Sequence, residues 1–523
     1  MKQRVISTPA LLFASISAII GSGWLFAAYY AAITTGPASL VAWLIGSIAM
    51  IIVAFTFAEL SAFLPVTGAT IRAPHYTHGR LVSLIFAWII WATYFSLMSV
   101  EVQAIIQYGS FFYPDLVYSN GGLTHSGYYV ATCLMLLVSA VNFYSLKWLL
   151  RCNNFLTILK IVIPLILAGA IIVHQFPITH ASITQMTFFP TGLKGILAAL
   201  ATSGIIFSFN GFRQATEMAG EVKNPQVALP VAIIGSILVC MIIYVALQYS
   251  FLAAIFNNQH LAEWQNLKFS GSNSPFSIVL RQQKLDYLLP VLYLGAIIGP
   301  FAAALMYCSS GARALYAMSQ NGSLPKIFAH VTPQGSPLVA ISLNFVMAML
   351  LFMPFPGWAS MASFLTSLMV LTYIVAPICL LVLRKQMPDS KRAFKIPGIN
   401  LWVFFSFYIC SLLIYWTGWQ VLFKLFIVLI GGLSLLICYR FASADRKEVF
   451  DLDWLASSWV WSFFIGVGLI SYYGSFGGKG VITFGMDFIA LAIVSFITLW
   501  LGKRFSLPKD KIVKEINSLI SGG

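Results

Sequence analysis

Charge is what this chain has least of. Only 9% of its 523 residues are Asp, Glu, Lys or Arg, where a soluble protein carries about 25%. That supply cannot cover a water-facing surface of this size. The seven cysteines (Cys133, Cys152, Cys240, Cys308, Cys379, Cys410 and Cys438) form no C-x-x-C pair. Neither a metal ribbon nor a disulfide framework is therefore expected. No H-E-x-x-H occurs, no serine stands beside a partner base, and no carboxylates cluster on adjacent apolar segments. The usual signatures of a membrane-embedded enzyme are missing, and no cofactor is implied. Low-complexity tracts and long linkers are lacking too. The longest stretches outside the apolar runs, 111–127, 175–193 and 257–286, are too short for a sizeable soluble domain, so a signalling receptor is the weaker reading.

What is present is apolar sequence. Hydrophobic residues make up 59% of the chain and the mean hydropathy is +0.88. At about 20 residues per crossing, the runs predict an all-α polytopic membrane protein of roughly fourteen transmembrane helices. Their cores fall near 8–33, 39–62, 81–110, 128–146, 153–174, 194–218, 229–256, 287–318, 337–354, 359–383, 400–418, 421–440, 457–474 and 483–502. Met1-Lys2-Gln3-Arg4 opens like a signal peptide, but the apolar run continues past Phe26, so a first membrane helix is expected.

The net charge of +15 alone is compatible with nucleic acid, but its placement argues against that. Lys and Arg gather in alternate loops. One set holds Lys2, Arg4, Arg72, Arg80, Lys147, Arg151, Lys223, Arg313 and Lys326, and then the groups 384–395, 440–447 and 503–514. The other holds only Lys194, Lys268, Arg281, Lys284 and Lys479. By the positive-inside rule both termini are expected in the cytoplasm, in a cell membrane.

The stretch Ser17-Ala18-Ile19-Ile20-Gly21-Ser22-Gly23-Trp24 lies mid-way through the first run. Each glycine costs a helix about 1 kcal/mol relative to alanine, and main chain freed inside a bilayer must find partners in protein, water or ligand. Such a break is either a backbone-built binding site, with N–H groups suited to a carboxylate, or a glycine face packed on a neighbour. A weak echo follows five spans later in Ser203-Gly204-Ile205-Ile206-Phe207-Ser208-Phe209-Asn210-Gly211. Interrupted helices at corresponding positions of two halves point to a transporter's midplane site, and an odd spacing requires the second half to be inverted.

Four signatures resemble the amino acid–polyamine–organocation (APC) permeases. They are Ile19-Ile20-Gly21-Ser22-Gly23-Trp24; Ala58-Glu59-Leu60 with Pro65 and Gly68; Gly211-Phe212 with Ala219-Gly220-Glu221-Val222-Lys223-Asn224-Pro225; and Gly311-Ala312-Arg313 with Asn321-Gly322-Ser323-Leu324-Pro325. The length and the Gly-Ser-Gly-Trp-Leu-Phe wording look most like the bacterial aspartate–proton symporter branch. The resemblance implies five-plus-five inverted repeats with discontinuous helices 1 and 6, and alternating access. The transport core would cover 1–395, with repeats near 8–174 and 194–383, and 396–523 would hold accessory helices and a basic tail. It also places a substrate α-carboxylate on Gly21, Ser22 and Gly23. The α-ammonium would lie near the carbonyls of Ile19 and Ile20 and the break at Phe207, Ser208, Asn210 and Gly211. Phe207 falls at a gate position, with plain packing as the alternative.

Four charges stand inside or beside the apolar runs. Arg213 follows the second break, where such permeases often carry an acid; it either meets an acidic substrate side chain or pairs internally with Glu217 or Glu101. An intramembrane arginine is costly, so some partner or cavity is required. Lys160 matches a lysine that replaces sodium in proton-coupled relatives; burial favours a neutral lysine, so Lys160 is either a proton carrier or a fixed cation on helix-1 carbonyls. Glu101 is a second proton-coupling candidate or the counter-ion of Arg213 or Lys160. Glu59 is expected to be structural, paired with Arg72 or Arg80. His75 and His78 are expected in a solvated inner loop, with His174 and His180 flanking an outer one. Trp88, Trp91, Tyr94 and Phe95 are expected to pack. The expected function is proton-coupled uptake of aspartate or glutamate, with an exchanger or a neutral amino acid permease as the alternative. The expected partners are the amino acid, protons and lipid, in a monomer or homodimer.

Overall fold

The computed structural model describes residues 4, 6–66, 68–144, 146–175, 188–256, 273–320, 324–332, 336–442 and 453–522, and the side chains of all of these except 144–154, 256, 435–442 and 517–522. His180, Lys268 and the Asn321-Gly322-Ser323 part of the fourth signature lie outside the described residues. Among the described residues the chain is helical, and β structure is confined to two isolated bridges, Ile6 with Val222 and Val117 with Leu123. Among the described residues nine helices are long and apolar enough to cross a membrane; a tenth follows if Ile399–Tyr415 and Trp419–Ser434, bent by 104°, count as one span. This is a multi-pass membrane protein.

The first run is not one helix. It is split into α1 (Thr8–Ile19) and α2 (Gly23–Thr35), followed by α3 (Ser39–Phe63). Helix α1 begins where a sequence reading would start it, with Ser7 accepting from the Ala10 N–H at 3.5 Å and proline in the first turn. Next come α4 (Ala69–Gly109), α5 (His125–Tyr144) and α6 (Leu146–Gln175). The sixth predicted run is again divided, into α7 (Gly192–Thr202), the single turn α8 (Ile205–Ser208) and α9 (Gln214–Glu217). Then follow α10 (Pro225–Phe256), α11 (Pro275–Gln282), α12 (Leu289–Gln320), α13 (Leu338–Leu351), α14 (Gly357–Tyr373) and α15 (Val375–Gln386). The last group is α16 (Ile399–Tyr415), α17 (Trp419–Ala442), α18 (Ser458–Tyr473), α19 (Met486–Arg504) and α20 (Lys509–Gly522). Helix α1 packs on α6 and α10, while α4 packs on α12 and α14. The apolar windows of α4 and of the α14–α15 pair are 89% and 100% buried, against 33% for α5 and α19. The first two form the centre, and the latter present sides to lipid.

Two expectations at the basic face are corrected. The segment holding His75 and His78 is no loop: α4 begins at Ala69 and is broken only at Gly79, whose φ of 84° departs from the helix. His78 is buried, 2.8 Å from Thr77 Oγ1 and 3.2 Å from the Gly502 carbonyl, because α19 ends over this turn. Glu59 is structural, but Arg72 and Arg80 are not its partners. Its carboxylate takes both Arg384 Nε and Nη2, at 2.6 and 2.7 Å, and the Ile396 N–H at 2.8 Å, with Arg392 Nη1 at 3.8 Å. Helix α15 brings Arg384 to the end of α3, across 325 residues of sequence. The loop guanidinium of Arg392 is lowered to about 10, by burial first, with Glu59 opposing and Arg384 adding.

Replacing Glu59 by Gln leaves two buried guanidinium groups without their carboxylate. Losing one partner of a buried ion pair costs about 3–5 kcal/mol, so Glu59→Gln is expected to lower the thermal unfolding temperature sharply in detergent. An unchanged melt would contradict the arrangement.

Candidate functional site

The two interruptions face one another. Helix α1 stops because Ile20 leaves helical geometry (φ −81°, ψ 85°) and Gly21 turns back, its N–H donating to the Ile19 carbonyl at 3.0 Å. A helix that ends here leaves carbonyls without intrahelical donors. Three side chains from three other helices supply them. Lys160 Nζ of α6 donates to the Ser17 carbonyl at 3.0 Å, and Tyr307 of α12 donates to Ala18 at 3.1 Å. Tyr244 of α10 points its hydroxyl at the Ile19 carbonyl (3.2 Å) and at the Ser208 carbonyl of the second break (2.9 Å). One hydroxyl thus links both discontinuities.

On the other side of the gap, the N–H groups opening α2 meet a carboxyl group. Glu101 of α4 accepts from both the Ser22 N–H and the Ser22 hydroxyl. Its Oε1 lies 2.5 Å from where a Cβ on Gly21 would stand, so only glycine admits the carboxylate there. Trp358 Nε1 donates to Ser22 Oγ at 2.9 Å and so completes the turn.

Glycines also set how closely the breaks approach. A Cβ on Gly23 would run into Ser208 Oγ, one on Gly204 into the Trp358 ring, and one on Gly211 into the Ala18 main chain. Gly204 (φ 85°) and Gly211 (φ 116°) in addition adopt backbone conformations that L side chains rarely reach. Phe207 stands edge-on to Trp358, with centroids 5.4 Å apart, and is buried. Asn210 Oδ1 accepts from Tyr373 at 3.3 Å, while its Nδ2 is buried with no partner; Glu101 Oε2 is in the same position.

The structure therefore brings together Ile19, Ile20, Gly21, Ser22, Gly23, Phe207, Ser208, Asn210, Gly211, Lys160 and Glu101. Arg213 stands apart from that group. It donates to Thr372 Oγ1, lies 3.8 Å from Glu217, and stacks 5.6 Å from the Tyr94 ring. Among the described contacts none joins it to Glu101. The Trp88–Trp91–Phe95 rings pack edge to face, as expected of them. Sequence reasoning missed Tyr244, Tyr307, Tyr373 and Trp358. Their one signal was a polar tip on a ring buried in apolar sequence, which must find a hydrogen-bond partner.

Comparison with known proteins identifies the family. The sequence profile of the amino acid permease family matches residues 6–430. The chain belongs to that family. The glutamate/serine transporter AimA of Bacillus subtilis (strain 168) is 32% identical over 533 residues, covering 100% of this chain and 98% of that protein. The aspartate-proton symporter of the same strain is 31% identical, covering 98% of each. The branched-chain amino acid permease BcaP of that strain is 27% identical over 84% of this chain and 93% of its own length. The APC resemblance read from the signatures holds. The chain is an amino acid permease of the membrane and not an enzyme.

For a permease, the shared hydroxyl of Tyr244 makes a sharp test. Tyr244→Phe removes the one O–H set between the two carbonyls; Ile19 keeps the Gly21 N–H, while the Ser208 carbonyl loses its 2.9 Å donor, at a cost of about 1–3 kcal/mol. A lower melting temperature and slower amino acid uptake are expected, and wild-type values for both would show that the bridge is idle.

Proposed function

We propose that this permease takes up acidic amino acids together with a proton, by alternating access around the two breaks. The observation that carries the reading is the seat of Glu101. Its carboxyl group lies against Gly21 and accepts from the Ser22 N–H and hydroxyl, donors that a substrate carboxylate would use. Two anions cannot share one set of donors in an apolar medium without a large penalty. Protonating Glu101 frees those donors for substrate, and substrate departure invites the carboxylate back. Proton and substrate then favour the same state, which is all that coupling requires. Lys160, fixed on the Ser17 carbonyl, balances the charge of the centre.

The substrate ammonium is assigned to the Ile20 carbonyl and Glu101 Oε2, since the Ile19 carbonyl already accepts from Gly21 and Tyr244. Asn210 Nδ2, a buried donor without a partner, suits a carboxylate oxygen. An acidic side chain is assigned to Arg213 in exchange for Glu217. The names of the aspartate-proton and glutamate/serine relatives support this substrate class.

The same reading takes the fold as five-plus-five inverted repeats, about 8–174 and 194–383 within a 1–395 core, with 396–523 accessory. Counting α1 with α2, α7 with α8 and α9, and α14 with α15 as single spans, and leaving out the short α11 and the terminal α20, gives the roughly fourteen crossings expected from run length. Both termini are assigned to the cytoplasm of a cell-membrane protein.

A second reading, a neutral amino acid permease or exchanger, rests on one observation: Arg213 is engaged by Glu217 and Thr372 instead of facing the breaks. Uptake into proteoliposomes of labelled aspartate, with an inward proton gradient and no sodium, separates the two. Gradient-driven aspartate accumulation is expected, and its absence with serine counterflow intact would favour the second. Glu101→Gln is expected to keep counterflow but to lose accumulation driven by the gradient; undiminished accumulation would remove Glu101 from the coupling. Arg213→Gln is expected to weaken aspartate competition about tenfold, or 1.4 kcal/mol, and to leave serine competition alone.

A further inference from the structure

Helix α4 is two helical pieces joined at a hinge. The first piece, residues 69–78, is set between Gly68 (φ 71°) and Gly79 (φ 84°), both in conformations that L side chains rarely adopt. A piece held between two such positions can turn as a unit, because large φ/ψ changes are absorbed at its ends. Beyond the hinge, the Arg80 N–H meets Asp453 Oδ2 at 3.4 Å, so the remainder of α4 is anchored separately.

The two ends of this piece are tied to different parts of the molecule. At its start, Thr70 Oγ1 donates to Glu217 Oε1 at 2.6 Å, and the Gly68 N–H donates to the Glu217 carbonyl at 3.3 Å. Both bonds grip α9, the last turn of the second broken helix. At its far end, Thr77 Oγ1 lies 3.2 Å from Cys379 Sγ of α15. The piece therefore lies across the basic face, from the broken helix to α15. Ala69, Thr70, Ala73, Pro74, Thr77 and His78 are buried beneath it, while Arg72 is exposed.

The chain after α19 holds it there. The Gly502 carbonyl lies 3.2 Å from His78 Nε2, and the Leu507 N–H donates to the Thr77 carbonyl at 2.9 Å. Helix α20 then packs on α4 and α15, with Leu507, Ile512 and Ile516 buried and Glu515 near His75 and Tyr76. Its other face, with Lys509, Lys511 and Lys514, is exposed. Fourteen residues make a helix that is marginal by itself in water. The buried isoleucines therefore keep α20 in place, and the helix is free to dock and undock as a unit.

We propose that α20 is a latch on the transport cycle. Docked, it holds 69–78 across the basic face and, through Thr70 and Glu217, keeps the second broken helix closed on that side. Undocked, it lets 69–78 swing about Gly68 and Gly79, and α9 moves with it. The latch sets how readily that side opens and leaves the main-chain contacts at the breaks alone. It rests on the alternating-access reading and is independent of which amino acid is carried.

The test compares full-length wild type with Ile512→Asn/Ile516→Asn, which undocks α20 without touching the breaks. Hydrogen exchange is read in detergent, and counterflow of a labelled mixture of the common amino acids is read in proteoliposomes. The double variant is expected to exchange faster at 69–78 and at 205–217, and to raise the counterflow rate about fivefold, the low end of a typical coupling between sites. Faster exchange confined to α20 itself, or counterflow unchanged or slower, overturns the latch. Adding Thr70→Val cuts the link to Glu217: the faster exchange is expected to remain at 69–78 and to shrink at 205–217. An undiminished rise at 205–217 overturns the route through Thr70. If the double variant melts earlier than wild type, Leu507→Ala, a smaller truncation at the same contact, carries the same comparison. Absence of counterflow in wild type would count against alternating access, and the exchange pattern alone would then decide the latch.

Discussion

Everything at the centre of this molecule follows from the cost of leaving peptide groups unpaired away from water. When α1 ends at Ile19 and α2 begins at Gly23, two helix ends of opposite polarity are created a few ångströms apart. The carbonyl end is negative and the N–H end positive. The protein answers each with an ionisable side chain of matching hydrogen-bond character. Lys160 sits on the carbonyl of Ser17, and Glu101 sits on the N–H and hydroxyl of Ser22. The intramembrane charges are thus consequences of the break, and the break is tolerable because of them.

The same constraint explains why the second broken helix lies where it does. Tyr244 can serve Ile19 and Ser208 with one hydroxyl only if the two gaps are adjacent. Close approach then demands glycine at 23, 204 and 211, where any side chain would collide with Ser208, Trp358 or the Ala18 main chain. Interdigitation this tight does not deform gradually, because packed interiors hold discrete arrangements. On the proposed reading, rearrangement around the breaks moves α1, α2, α7 and α8 as rigid pieces that exchange hydrogen-bond partners, with Tyr244 and Trp358 as the contacts to be remade.

This also marks what sequence could and could not convey. Gly21, Gly23, Gly204 and Gly211 were legible because glycine inside an apolar run has few other reasons to be there. Lys160 and Glu101 were legible because an isolated charge among apolar residues needs a special partner. Their surroundings were not. A tyrosine in an apolar helix reads alike whether its hydroxyl caps a broken helix, as Tyr244 and Tyr307 do, or merely fills space. The pairing of Glu59 with Arg384 depends on α15 crossing α3, a tertiary fact that local spacing hides; the nearer cations Arg72 and Arg80 were the natural but mistaken choice. His78 was misjudged for the same reason, since the helix end that buries it lies 424 residues away.

Arg213 shows how far a break of this kind can shape selectivity. It is the buried cation nearest the second gap, yet its fork is divided between Thr372 and a carboxylate 3.8 Å away, and that carboxylate is also held by Thr70 at 2.6 Å. A pair at 3.8 Å lacks the short bidentate geometry that makes arginine–carboxylate contacts strong. Glu217 therefore neutralises Arg213 without satisfying it. On the proposed reading, that half-met arginine is what a second substrate carboxylate would complete, and a neutral side chain would leave the Glu217 contact in place. Discrimination between acidic and neutral amino acids then reduces to one exchange of partners at one guanidinium, next to a main-chain site that grips any α-amino acid alike.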